Sequence, residues 1–349
     1  MKNFANKVRE LGLAQAYLIT SEVNVSYVSG FMGDSSQLLI TENEAYLFTD
    51  SRYTLEARAE TEGVEVVTTG AKERNESIAK ALSEERVKTL AIEKENVTIA
   101  GFAEYDEAFR MEEYVDISGA LTDIRAVKQP FELERILKAA KACEVVLDGL
   151  LPIIKPGMTE LELRAELLYL IHKQGMDSAF APIVASGENS ALPHARPSGR
   201  KLQKGDLLTL DFGCKYEGYC SDITRTFGIG NIDGRKKTIY DIVKAAQQKA
   251  CDCAKTGAEA RLVDACARDF IRKSGYGSNF GHGLGHGVGR EVHEKPVLNP
   301  HSDAVLAENM VFTIEPGIYV EGLGGVRIED MLVAGHGNAY SFTKELICI

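Results

Sequence analysis

The chain has 349 residues, 44% of them hydrophobic and 26% charged, with a formal net charge of −11. That length allows two domains with ample core, and no apolar run approaches the length of a membrane span. The acidic balance argues against a general binder of nucleic acid or anionic membrane. The first ten residues lack the apolar centre of a secretory signal, so a cytoplasmic location is expected.

Residues 1–124 alternate short apolar runs with amphipathic stretches. Helices are predicted at Phe4 to Leu11, Tyr53 to Glu62 and Asn75 to Ser83. Strands are predicted at Ala14 to Ile19, Gln37 to Thr41, Ala45 to Phe48, Val64 to Val67 and Thr89 to Ile92. Such alternation favours an α/β domain. It collects no acids or histidines suited to chemistry, and Asp50 with Arg52 reads as a turn-stabilising ion pair.

A second domain is expected over residues 125–349. Pro130 opens a helix running to about Ile154, at the position where proline is tolerated. Thr159 and Glu162 form a capping box for a second helix that Gly175 ends. One hundred residues on, the pattern returns: Lys155-Pro-Gly157 is echoed by Lys255-Thr-Gly257, and Lys173 and Gly175 by Lys273 and Gly275. Two α-α-β halves related by pseudo-symmetry would produce that echo.

Each half is followed by a candidate hairpin. Asp211 and Asp222 flank a turn at Tyr216-Glu217-Gly218, between Leu207 to Phe212 and Ile223 to Ile229, and should lie opposite one another. Glu315 and Glu329 are centred on Gly322, between Val311 to Val320 and Val326 to Val333. With His286 in Gly281-His-Gly-Leu-Gly-His-Gly-Val-Gly289, these four carboxylates make a hard, oxygen-rich ligand set. Four negative charges balance two divalent cations, a combination suited to activating water for hydrolysis.

Taken singly, each residue has a plainer reading: a solvated aspartate, a loop glutamate, a histidine tolerated among glycines. Their joint occurrence in order decides for a metal site. The glycines of 281–289 do not have the Gly-x-Gly-x-x-Gly spacing of a dinucleotide cradle. His172, His301 and His336 carry no motif and read as surface or helix-end residues. Seven cysteines at irregular positions predict reduced, structural thiols, and Cys251-Asp-Cys253 is too closely spaced for a usual zinc pair.

In these motifs the chain resembles the M24 "pita-bread" metallopeptidases, creatinase and methionine aminopeptidase among them, and within them the proline-specific branch of Xaa-Pro aminopeptidases and Xaa-Pro dipeptidases. The resemblance implies an α+β fold: a pita-bread catalytic domain, with a curved antiparallel sheet and helices on its outer face, preceded by a creatinase-type α/β domain. It implies that Asp222 and Glu329 bridge two metals, that Asp211 binds one, and that His286 and Glu315 bind the other. It places His194, His282 and His293 around the substrate and gives Arg327 the role of orienting acidic groups. Manganese is the first metal expected, with cobalt, zinc or iron as alternatives, and the assembly expected is a homodimer.

The implied activity is cleavage of the Xaa-Pro bond of short peptides with proline second, by a hydroxide shared between the metals. Glu315 would shuttle the proton and His293 would donate to the oxyanion. Phe48-Thr-Asp50-Ser-Arg52-Tyr53 is similar to aminopeptidases P, whereas Ser190-Ala-Leu-Pro-His194 is similar to dipeptidase-like members, so the aminopeptidase and dipeptidase readings both stand. A creatinase-like hydrolase and a non-catalytic binding module are disfavoured by the intact ligand set, and a methionine aminopeptidase by the N-terminal domain.

Overall fold

The computed structural model describes residues 4–335 and the backbone of a last strand, Asn338–Ser341. His336 and Cys348 lie outside the described residues. The chain divides into two compact units, Met1–Ile124 and Arg125–Ile349.

The first unit is built on a six-stranded mixed sheet. Its order is Glu65–Thr68, Ala45–Thr49, Gln37–Ile40, Ala16–Ile19, Thr89–Ile92, Glu113–Asp116. Ala16–Ile19 is fully buried, as a central strand covered on both faces must be, and pairs antiparallel with Gln37–Ile40 but parallel with Thr89–Ile92. Four elements escape the sequence reading, the helix Ser118–Ala126 among them. Helix Glu22–Ser29 buries polar Asn24 and Ser29 beside Val25, Tyr27 and Val28, and helix Ile99–Phe109 exposes Ile99 and Phe102, so neither shows a clean amphipathic period. The edge strand Glu113–Asp116 begins and ends in an exposed acid. The Asp50–Arg52 pair forms at 2.6 Å beside the helix Thr54–Glu60.

The second unit contains two helix pairs: Pro130–Leu150 with Glu160–Lys173, and Gly234–Cys253 with Ala260–Lys273. The second helices of the two pairs are displaced by one hundred residues at both ends. The correspondence extends to the turns. Gly157 and Gly257 have φ of +95° and +87°, and their N–H groups donate to Leu202 O and Leu306 O. Each pair packs its apolar face on its own strands. Leu147, Leu163 and Leu167 bury against Leu208, Leu210 and Phe227, and Val243, Val263 and Ala267 against Phe312, Ile314 and Leu332. Among the described residues, no helix is long and apolar enough to cross a membrane.

One expectation about the cysteines is corrected. Cys253 and Cys266 form a disulfide, their Cα atoms 6.8 Å apart, between the last residue of one helix and the middle of the next. The pairing depends on how the two helices cross, which residue spacing does not reveal. Cys143, Cys214, Cys220 and Cys251 are free thiols.

Candidate metal centre and active site

The two hairpins position the acids. In the second, Val311–Ile314 pairs with Asp330–Gly335, and Gly317–Val320 with Gly324–Arg327, in one unbroken register. Continued across Glu315, that register sets it opposite Glu329. The first hairpin departs from expectation by one residue. Its turn is Glu217-Gly218, both at positive φ (45° and 80°), with Tyr216 opposite Tyr219. Asp211 therefore faces Thr224, not Asp222. Asp222, two residues before Thr224, still lies on the same side of the pleat. An isolated bridge between Thr224 and Glu329 joins the hairpins.

His286 sits in the strand Gly285–Gly287, at a register shift opposite Glu294–Leu298. A Cβ at Gly285 would come 2.0 Å from Thr313 O, and one at Gly287 2.0 Å from Lys295 O. The glycines thus let the neighbouring strands close on the imidazole from both sides. Its Nε2 lies 3.1 Å from Glu315 Oε1 and 3.6 Å from Asp222 Oδ2.

All nine residues singled out in the sequence line one cavity of about 350 Å³: Asp211, Asp222, His286, Glu315 and Glu329, with His194, His282, His293 and Arg327. His172 is exposed and hydrogen-bonded to Met176 O, and His301 lies exposed in a loop; both are outside the cavity.

The acids are deeply placed. Asp222 and Glu329 retain 5% and 2% of their exposure. Burial, reinforced by Glu329, Asp211 and Glu315, holds the Asp222 carboxyl well above the ordinary range. Burial and then Glu315 and Asp211 do the same to Glu329. Asp211 is raised by burial against the opposing pull of Arg327. Glu315 is different: burial pushes it up, but the hydrogen bond and charge of His286 outweigh that and bring it below the usual value. His286 rises correspondingly. His282 and His293 are lowered, chiefly by burial, and so are neutral near pH 7.

Asp211 Oδ1, Asp222 Oδ1 and Glu329 Oε1 are buried without any hydrogen-bond partner. Orphaned anionic oxygens in a protein interior are unfavourable unless something positive meets them. Asp222, His286 and Glu329 each offer a ligand atom within 4.8 Å of the others. An oxygen-rich donor set with one imidazole fits a divalent transition metal.

Residues 134–336 match the model of metallopeptidase family M24, and residues 1–127 that of the Creatinase/Prolidase N-terminal domain. The chain belongs to metallopeptidase family M24. It is 39% identical to the X-Pro aminopeptidase of Thermotoga maritima, with a TM-score of 0.92 and 98% of each chain covered. It is 37% identical to the Xaa-Pro dipeptidase of Bacillus anthracis, with a TM-score of 0.94 over 99% of this chain and 98% of that one. An Xaa-Pro dipeptidase of Pyrococcus horikoshii is 37% identical over 331 residues, 94% of this chain and 92% of the relative. The architecture is accordingly the pita-bread fold behind a creatinase-like N-terminal domain.

Within the M24 site, sequence reasoning missed Tyr319. Its hydroxyl meets His282 Nε2 at 2.9 Å and accepts from Arg327 Nη1 at 2.9 Å. Burial pushes its pKa up to about 12. Strand alternation from Glu315 through Gly317 to Tyr319 points it to the same face, and a Cβ at Gly317 would strike its hydroxyl at 2.5 Å. Arg327 completes the chain by donating to Asp211 Oδ2 at 2.6 Å and to Thr224 Oγ1 at 3.1 Å. Thr224 in turn donates to Glu329 Oε2 at 2.6 Å. Arg225 was also missed; it donates to the Glu329 carbonyl and pairs with Asp330 at 2.6 Å.

Carboxylates whose pKa rises on folding destabilise the metal-free protein as pH climbs through their unfolded value, because the unfolded chain ionises first. Below that value the penalty is absent. A bound cation removes it, and protons compete with the cation. Stripped protein given manganese should therefore gain more melting temperature at pH 7.5 than at pH 5.5. A gain that is equal at both values contradicts the assignment of these acids as ligands.

Proposed function

We propose that this chain is an Xaa-Pro aminopeptidase that works with two divalent ions. The observation that carries this reading is the convergence of three unpartnered carboxylate oxygens and His286 on one cavity that His194, His282 and His293 also line. Asp222 and Glu329 would serve both ions, Asp211 one, and His286 with Glu315 the other. Ions held there would supply Lewis acidity and bring the pKa of water towards neutrality.

The protein's own groups account for the rest. Proline's nitrogen has no hydrogen in the peptide and must acquire a proton to leave. Glu315, which lines the cavity where the attacking water would stand, takes the proton of that water and passes it to the nitrogen. His293, neutral, donates its N–H to the oxygen that becomes negative in the transition state. His194 and His282 line the side on which the proline ring rests, and Arg327 and Tyr319 keep His282 and Asp211 in place. Manganese is the first metal to test, and the same reading carries a homodimeric, cytoplasmic enzyme.

Relatives bear both names, so the choice of aminopeptidase rests on the cavity. A strict dipeptidase must recognise the free carboxylate of a C-terminal proline. Among the described residues, the one guanidinium lining the cavity is Arg327, already engaged by Asp211, Tyr319, Thr224 and Pro193 O. Phe180, Ile183, Val292 and Val297 line it instead. Hydrolysis of Xaa-Pro-Yaa and Xaa-Pro, with chelator and with added manganese, tests the reading. Release of Xaa from the tripeptide at a kcat/KM at least about tenfold above the dipeptide, a difference of roughly 1.4 kcal/mol, is expected. Cleavage of the dipeptide alone would establish the prolidase reading in its place.

A further inference from the structure

His194 has no side-chain hydrogen bond among the described residues and stands exposed at the cavity rim. Its position is therefore set by its backbone, and that backbone hangs on one buried acid. Glu160, the first residue of helix Glu160–Lys173, is completely buried. Its Oε1 accepts from Ser186 N (2.7 Å), Ser186 Oγ (2.8 Å) and Asn189 Nδ2 (3.1 Å). Its Oε2 accepts from Ser198 N (3.0 Å), Ser198 Oγ (2.7 Å) and Asn189 Nδ2 (3.1 Å).

These donors bracket His194, two before it in the chain and one after. The helix start adds two more ties, Glu160 N to Arg200 O and Leu161 N to Ser198 O, both 3.1 Å. On its other side the segment rests on the second hairpin. Gly325 N donates to Ser190 Oγ at 2.9 Å, and Arg327 donates to Pro193 O at 3.2 Å. The other half of the domain has alanine at the matching position, Ala260, so the acid is not demanded by the repeated architecture. A buried carboxylate spending every lone pair on one loop is unfavourable unless the loop's placement matters.

We propose that Glu160 is a positioning residue, which fixes the segment 186–198 so that His194 meets the substrate. This rests on the peptidase reading above. Glu160 touches no reacting atom; it acts through His194. Glutamine in its place must turn an NH₂ group towards N–H and O–H donors and breaks the anchor at one end.

The experiment compares wild type, Glu160→Gln, Asn189→Ala, His194→Ala and Glu160→Gln/His194→Ala, each loaded with manganese and assayed for metal content. Glu160→Gln should raise KM for an Xaa-Pro-Yaa peptide about tenfold while kcat stays within about threefold. Added to His194→Ala, it should raise KM no further, because the two act as one unit. Asn189→Ala, which removes two of the bonds and leaves the acid, should shift KM the same way by less, and keeps the test open if Glu160→Gln folds poorly. Independent, multiplicative effects of Glu160→Gln and His194→Ala would overturn the proposal, as would a fall in kcat that tracks metal loss. Hydrogen exchange supplies a readout free of the reaction: amides of residues 187–200 should exchange about tenfold faster in Glu160→Gln with the rest of the unit unchanged. If wild type cleaves no Xaa-Pro peptide, the peptidase reading falls, and unaltered exchange in this segment would remove the anchor as well.

Discussion

Glu315→Gln should retain its metal and lose turnover, with kcat on Xaa-Pro-Yaa peptides falling by about 10²–10⁴, the range for removing a general acid–base group. The substitution keeps size and leaves an oxygen for the contacts from Thr313 Oγ1 (3.1 Å) and His286 Nε2 (3.1 Å). Asp211, Asp222, Glu329 and His286 are untouched, so most of the ligand charge persists. What disappears is a group able to hold a proton between two steps. Glu315 is suited to that work because its carboxylate lines the cavity beside His286, 3.1 Å from Nε2, where it can reach both the water and the leaving nitrogen. Metal analysis beside steady-state kinetics checks the result; turnover near that of wild type would exclude the shuttle.

Asp222→Asn should abolish metal binding and activity together, leaving less than about a thousandth of the wild-type rate. Asp222 lies among the other acids, one oxygen unpartnered and the other 3.6 Å from His286 Nε2. An amide there supplies no charge and turns a donor towards the cations. In the metal-free protein the same change should raise the melting temperature, since it deletes a carboxylate that burial and three neighbouring acids disfavour. The pair of outcomes, a more stable apo-protein that manganese no longer stabilises, separates a ligand from a residue needed for folding. An active variant without bound metal contradicts the assignment.

The acids and histidines that line the cavity were legible in the sequence because each lies in a short run whose residue types are themselves the chemistry. The second hairpin was legible too, since Gly322 marks its turn and both strands keep one register through Glu315 and Glu329. The first hairpin misled because it was centred on the two aspartates. Its real centre is the Glu217-Gly218 turn, which sets Asp211 against Thr224. The hundred-residue echo was readable from Gly157, Gly175 and their partners, whose left-handed backbone restricts the choice of residue. Tyr319, Arg225 and Glu160 were not, because what gives them meaning is a partner in another element: Tyr319 is 37 residues from His282, Glu160 is 26 from Ser186 and 38 from Ser198, and Arg225 is 105 from Asp330. The Cys253–Cys266 bond belongs to the same class of fact.

The lone bridge between Thr224 and Glu329 has a bearing on how this protein folds. Each hairpin brings only two acids, and only one side brings an imidazole, so a partly assembled chain has little with which to grip a cation. Ions bound by these acids would therefore recognise the finished domain and not its fragments, and their concentration would enter the folding equilibrium directly. Starving the protein of divalent ions would then leave both arms mutually repelled at the very seam where they must meet.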